Sequence, residues 1–409
     1  MGRTSLILVM SFNLIFATMG FNLSRVAINA YQNYINYYDK SVSHQIAASA
    51  ANIAASQICF SPNWRTGYNN ISFGGGTYSV SAVDVAGGTQ VKVTATATYN
   101  SVNSTIILLL GLTKFSKFAY YSQIEGGINW ITGDTVWGPW HTQQKLTVSG
   151  NPVFLGKASA KNGITKSPAS SKPVFHPDFQ SGVDINLPVD LSQIKGLAQS
   201  GGKYFSGDDV YLCFNKDGTA TYRIGSWTAV PATTAPLTTL APNGVLVVDG
   251  ANLHVKGVVN GQMTISALGS SGASKGNVWI DSSVVYNKNP MTDPTSTDML
   301  GIVCDNNVEV ADNANNDNPA NGVTIDASML CRSGGLTADN YNGRPVSGTL
   351  TILGGVQQYQ RGAVGQFSNQ TGAILNGFQK NYRYDNRLMV GSPPLYPTTG
   401  TYEVLSWFE

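Results

Sequence analysis

Met1-Gly-Arg-Thr-Ser-Leu-Ile-Leu-Val-Met-Ser-Phe-Asn-Leu-Ile-Phe-Ala-Thr-Met-Gly-Phe-Asn-Leu-Ser24 opens the chain and carries no charge between Arg3 and Arg25. A helix over this run, at about 1.5 Å per residue, is about 30 Å long, enough to cross a bilayer. No breaker follows, and an amphipathic helical pattern continues to near Gln57. Three readings compete: a secretory signal peptide, a membrane anchor, or the tail of a filament subunit. Against a signal peptide, no Ala-x-Ala follows and the helical periodicity runs past any plausible cut. Against a lone lipid-facing anchor, Asn13 and Asn22 would leave amides unpaired in hydrocarbon, where a second protein surface suits them better. The filament tail is the reading favoured.

The rear of this segment carries Ile28, Tyr31, Ile35, Tyr38, Val42, Ile46 and Ile53, mostly in alternating three- and four-residue steps that keep one helix face apolar. Ala47, Ala48, Ala50, Ala51, Ala54 and Ala55 thin the rod toward its end, so a helix or sheet can approach closely. One face is expected to cover the sheet that follows.

With Gly2-Arg-Thr-Ser-Leu-Ile-Leu-Val-Met10, Asn36-Tyr-Tyr-Asp-Lys40 and Ala47-Ala-Ser-Ala-Ala-Asn-Ile-Ala54 ahead of a β-rich remainder, the chain resembles the type IV pilin superfamily, nearest to pilus-assembly proteins of the PilX-like kind. The resemblance covers about the first seventh of the chain. It implies processing by a prepilin peptidase, retention in the inner membrane, and extraction by the pilus assembly machinery into a helical homopolymer at the cell surface. The assembly helix would then present Met1, Ser5, Leu8, Phe12, Ile15, Phe16, Ile28, Tyr31, Ile35 and Tyr38. One departure matters: many major pilins have a glutamate at mature position five, and Ser5 stands there if Met1 is the mature start. Arg3 adds positive charge nearby, and Ser5 can still accept a hydrogen bond from a neighbouring amine.

Composition agrees with a secreted, β-rich structural protein. Charged residues are 12% of the 409, against a typical figure of about 25%, and glycine supplies 44. A net charge of +2 gives no reason to expect nucleic acid as a partner.

The pattern after the helix predicts an α+β protein in three parts. Residues 1–57 are the hydrophobic and amphipathic helix, residues 58–115 a small antiparallel β head, and residues 116–409 a large outer β domain. In the head, Pro62 and Gly74-Gly75-Gly76 break a connector from Cys59 to Gly76. The stretches 77–85 and 90–99 then form a hairpin, with Val91, Val93, Ala95, Ala97 and Tyr99 alternating with polar residues, and 105–110 adds a third strand.

Beyond it, short strands recur between glycines and asparagines, at 145–148, 245–248, 253–256, 262–266, 277–281, 300–303, 323–326 and 348–353. Polar punctuation without a fixed period favours an irregular β-solenoid over a β-sandwich, the alternative. Gly133-Asp-Thr-Val-Trp-Gly-Pro-Trp-His141 and Gly150-Asn-Pro-Val-Phe-Leu-Gly156 resemble segments of pilus-assembly-like surface proteins with β-helical C-terminal regions. Residues 158–173, rich in Lys, Ser and Gly, and 228–242, rich in Thr and Pro, read as exposed loops or arms.

Four cysteines in an exported chain invite pairing. Cys304 and Cys331 each end an apolar strand, and stacked rungs would bring them within about 5 Å, as a disulfide or as two buried thiols. Cys59 with Cys213 has no local support. The run Asp305 to Asn318 offers oxygen ligands but lacks the calcium-loop order, so a hydrogen-bonded asparagine turn explains it better. His44, His141, His176 and His254 are scattered, and no metal or cofactor is expected.

Catalytic motifs are missing: no phosphate loop, no His-Glu-x-x-His, no nucleophile elbow and no Cys-x-x-Cys. Asp208, Asp209 and Asp281 are the residues a β-helical polysaccharide enzyme would use, a distant third reading after two others. The first is a self-assembling filament subunit whose helix forms the core and whose outer domain forms a sheath. The second is a minor or tip pilin, or anchored adhesin, gripping carbohydrate with Trp137, Trp140 and Tyr359-Gln-Arg361.

Overall fold

A single helix, α1, runs from Gly2 to Phe60 in the computed structural model, which describes residues 2–127, 129–270, 274–368 and 373–409. At 59 residues it is about 88 Å long. Its sequence explains the length: no proline precedes Pro62, and the alanines of its last turns have the highest helix propensity. Pro62 disfavours helical backbone at Ser61, whose amide makes the last bond of the rod, to the Gln57 carbonyl at 2.8 Å.

Two compact units follow from the contacts. One holds the chain up to Thr113 together with Gly400–Glu409, and the other holds Lys114–Thr399.

In the first unit, four strands form an antiparallel meander: β1 (Tyr68–Phe73), β2 (Gly76–Val85), β3 (Gln90–Tyr99) and β4 (Val102–Lys114). Two-residue turns at Gly74-Gly75 and Asn100-Ser101 take positive φ at both positions, the mirror-image turn that suits the twist of hairpin strands. Tyr78, Val80 and Ala82 of β2, Val91, Val93, Ala95 and Ala97 of β3, and Ile106, Leu108 and Leu110 of β4 turn one apolar face toward α1. The helix meets it with Ile46, Ala47, Ala50, Ala51, Ala54 and Ile58, all buried. Alanine against alanine lets the rod lie close to the sheet. The docked stripe also contains Asp39 and Ser43, whereas Ile53, on the stripe read from sequence, lies outside it and is exposed.

Two strands beyond the three predicted complete this sheet. β1 occupies the expected connector, and the C-terminal strand, Thr398–Phe408, lies beside β4 as a fifth strand. The sequence reading left that last strand in the outer domain. Tyr402 and Trp407 pack on the same core, and Leu405 lies against the bare Cα of Gly111, where a Cβ would come within 2.5 Å of it.

In the second unit most strands pair in parallel with the strand after next. One ladder runs through Lys203–Ser206, Val245–Asp249, Gln262–Leu268, Met299–Cys304, Val323–Cys331 and Val346–Gln360. It continues into Tyr120–Ile124, Trp140–Thr142, Ala158–Ala160 and Phe179–Ser181, so residues 120–181 stack after residues 346–360 although they precede them in the chain. A parallel companion runs through Val210–Phe214, Leu253–Val259, Val278–Tyr286, Val308–Val310 and Leu336–Ala338. In-register side chains stack into buried columns, one of them Leu246, Ile265, Ile302, Met329 and Val356.

Asparagines tie successive rungs at one corner. The Asn252 amide N–H donates to Asp209 Oδ1 at 2.8 Å, that of Asn277 to Asn252 Oδ1 at 3.1 Å, that of Asn307 to Asn277 Oδ1 at 2.9 Å, and that of Gly335 to Asn307 Oδ1 at 3.0 Å. Each side chain thus satisfies a backbone donor that a bend would otherwise leave without a partner.

Both predicted loops contain ordered strands. Ala158–Ala160 and Ile164–Lys166 join parallel ladders, their short polar side chains alternating with alanines small enough to bury. In the other, Thr233–Pro236 pairs antiparallel with Thr219–Ile224, and the helix Leu237–Leu240 buries both leucines. Most of this arm is nonetheless exposed as expected, from Val230 through Thr234 and again at Pro236, Thr238 and Thr239.

Candidate functional site

The front of α1 is a long apolar surface left bare among the described residues. Every residue from 2 to 38 is exposed, including Leu8, Phe12, Ile15, Phe16, Ile28, Tyr31, Ile35 and Tyr38, while Met1 lies outside the described residues. Among the described residues this is the one helix long and apolar enough to cross a membrane. Its hydroxyls are accommodated within the helix: Ser11 Oγ donates to the Ile7 carbonyl and Thr18 Oγ1 to the Ile15 carbonyl, each at 2.9 Å. Such bonds lower the cost of placing a hydroxyl in an apolar medium. Ser5 is engaged as well. Asn13 and Asn22 have no such bond among the described residues, which leaves their amides to be met from outside the helix. Arg25 marks the end of the uncharged run and lays its guanidinium over the Phe21 ring at 5.8 Å.

Residues of the adhesin reading are divided by the structure. Trp140 is fully buried, stacked 6.1 Å from Tyr120 in the core, and offers nothing to a ligand. Trp137 is 44% exposed and Tyr359 is 37% exposed. Trp137 and Arg361 both line a cavity of about 230 Å³ that Trp130, Asp134, Gln358, Lys380 and Arg383 also line. The Arg361 guanidinium lies 4.6 Å from the Trp130 ring centre, and that of Arg383 lies 4.1 Å from Trp137. Lys380 is exposed as a whole residue, but its ammonium sits in desolvated surroundings. That desolvation, with the Arg361 charge beside it, brings its pKa down to about 8. Behind Trp130, burial pushes the Glu125 carboxyl up, against hydrogen bonds from Ser122 and from Trp130 Nε1 at 3.2 Å. Sequence reasoning missed Trp130, Lys380 and Arg383; the last two share the strand Ile374–Arg383, far from Trp130, and no motif joins them.

The three candidate acids have structural partners. Asp208 is exposed, and Asp209 anchors the asparagine ladder. Asp281 accepts from Trp227 Nε1 at 2.6 Å and pairs with His254 Nδ1 at 2.9 Å, while His254 stacks between Tyr211 and Trp279. Among the described residues no hydroxyl or thiol bonds the second ring nitrogen of His254, so this pair does not form a nucleophile relay. His141 is buried against Ser159 Oγ at 2.8 Å, and burial pushes its pKa down to about 4. His44 lies 3.7 Å from Glu409. In the run from Asp305 to Asn318, Asp305 is bound by Arg332 at 2.5 Å, Asp317 by Arg344, and Asp312 by Asn340 at 2.9 Å. Asn316 Nδ2 donates to the Ile280 and Ala311 carbonyls at 2.8 and 3.0 Å.

Cys304 and Cys331 are in-register neighbours, but both are free thiols, as are Cys59 and Cys213. Parallel in-register side chains leave a sheet side by side at about the 4.8 Å strand spacing, wider than the roughly 3.8 Å between Cβ atoms of a disulfide. They continue the apolar column begun by Val248 and Ala267, and burial beside Cys331 holds the Cys304 thiol well above its ordinary pKa.

No family model matches the chain, and none of the curated proteins compared with it matches. Among solved structures, the competence-associated pilin ComZ from Thermus thermophilus is similar over 91% of this chain and 97% of its own length, at 10% identity and a TM-score of 0.37. That likeness is too slight to carry a function, which rests on the residues above.

Proposed function

We propose that this chain is a structural, non-enzymatic subunit of an extracellular pilus-like filament that assembles through α1. One observation carries the reading: a single unbroken helix leaves residues 2–38 bare, with an uncharged apolar run between Arg3 and Arg25, while one face of residues 39–58 is docked on a sheet. Before assembly the bare half sits in the inner membrane at little cost, since lipid tails are as apolar as leucine. Afterwards the same surface is buried among copies of itself, and interhelical contacts supply partners for Asn13 and Asn22. On this reading a prepilin peptidase and the assembly machinery act on the same end of the chain. The parallel ladders and asparagine corner of the second unit support an irregular β-solenoid. Charged substitution of Leu8, Phe12 or Ile15 is expected to leave the β-domains folded and abolish fibres in sheared surface material viewed by negative stain. Normal fibres from those variants would refute the proposal.

A further inference from the structure

Four arginines of the β-domains are paired: Arg65, Arg332, Arg344 and Arg387 each bind an aspartate. The 230 Å³ cavity breaks that habit. Among the described residues Arg361, Lys380 and Arg383 make no salt bridge and no side-chain hydrogen bond, and Arg361 Nη1 is a buried donor with nothing to donate to. A buried, unsatisfied guanidinium nitrogen is costly. It is the more unusual in a chain with so few charges, where three cations share a wall with one carboxylate, Asp134. Asp134 accepts the Ile131 amide through Oδ2 at 2.8 Å, and with Glu125 behind Trp130 it faces the Arg361 charge, two carboxyl groups set against three cations.

We propose that this cavity binds a sugar that carries a carboxylate. Two guanidinium groups, each seated over an indole ring at 4.6 and 4.1 Å, are forks held in place by their neighbours, and such a fork recognises a planar carboxylate through parallel N–H bonds. The cavity is much larger than a carboxylate alone. Its remaining wall joins the exposed ring of Trp137 to the hydroxyl-matching groups Gln358 and Asn381, a mixture that suits the apolar face and the hydroxyls of a pyranose. A polyanion backbone fits poorly, because it calls for a stripe of cations along a surface rather than three gathered in one hollow.

Titration calorimetry on the detergent-solubilised full chain tests this without any filament. D-galacturonate should bind saturably, with D-galactose, acetate and sulfate each at least tenfold weaker. Lys380→Gln should lower galacturonate affinity at least tenfold and Lys380→Arg should restore it, with unchanged circular dichroism in both. Three results would each overturn the site: no saturable heat with galacturonate, sulfate binding as tightly as galacturonate, or K380Q binding like the parent chain. Failure here leaves the filament proposal standing, and absence of fibres leaves this one standing.

Discussion

The two halves of α1 share one backbone and differ in what they touch. From Gly2 to Tyr38 the helix is bare, apolar nearly all round as far as Leu23 and then along one face, with large side chains directed outward. From Asp39 to Ile58 it is two-faced, and its inner face is made of alanine, serine and isoleucine fitted to β2 and β3. Large apolar groups suit an environment that adapts, such as lipid or other rods. Small ones suit a fixed sheet whose side chains already fill the space. The front is therefore built for a changing partner and the rear for a permanent one.

Substitutions in the two halves should separate these roles, read by amide hydrogen exchange of β2–β4 in the detergent-solubilised chain. Ile58→Ala removes a fully buried side chain from the docked face, and should destabilise the sheet by roughly 2–5 kcal/mol. A cost below about 1 kcal/mol would show the rear half to be loosely seated. Ser43→Ala deletes the buried bond from Ser43 Oγ to the Ala97 carbonyl at 3.1 Å, an expected loss of about 1 kcal/mol. Tyr31→Ala, in the bare half, should change sheet protection by less than about 0.5 kcal/mol while reducing fibre yield. Measurable loss of protection from that change would erase the distinction between the halves.

Much of this was legible in the chain. The uncharged run and the absence of proline marked the helix, and the alternation of Val91, Val93, Ala95 and Ala97 marked β3 with its inward face. The phase of the docked stripe was not legible, because Asp39 and Ser43 sit on the buried side and interrupt the apolar period while Ile53 continues it on the wrong side. Asparagines announced turns, but Asn252, Asn277 and Asn307 are 25 and 30 residues apart, so their alignment needed the rungs themselves. Stacking of residues 120–181 after 346–360 reverses chain order, which no local pattern encodes. The cavity gathers Trp130, Arg361 and Lys380 from three segments; Arg361 was marked from the sequence beside Tyr359, but nothing local joins it to Trp130 or Lys380.

The C-terminal strand beside β4 makes the first unit a late product of synthesis. Its fifth strand begins at Thr398, so a nascent chain has β1–β4 available for nearly three hundred residues before their last neighbour emerges. Any molecule interrupted in that interval would present β4 as a raw sheet edge, open to the wrong strand. Quality control could thus discriminate finished from unfinished molecules by one exposed margin.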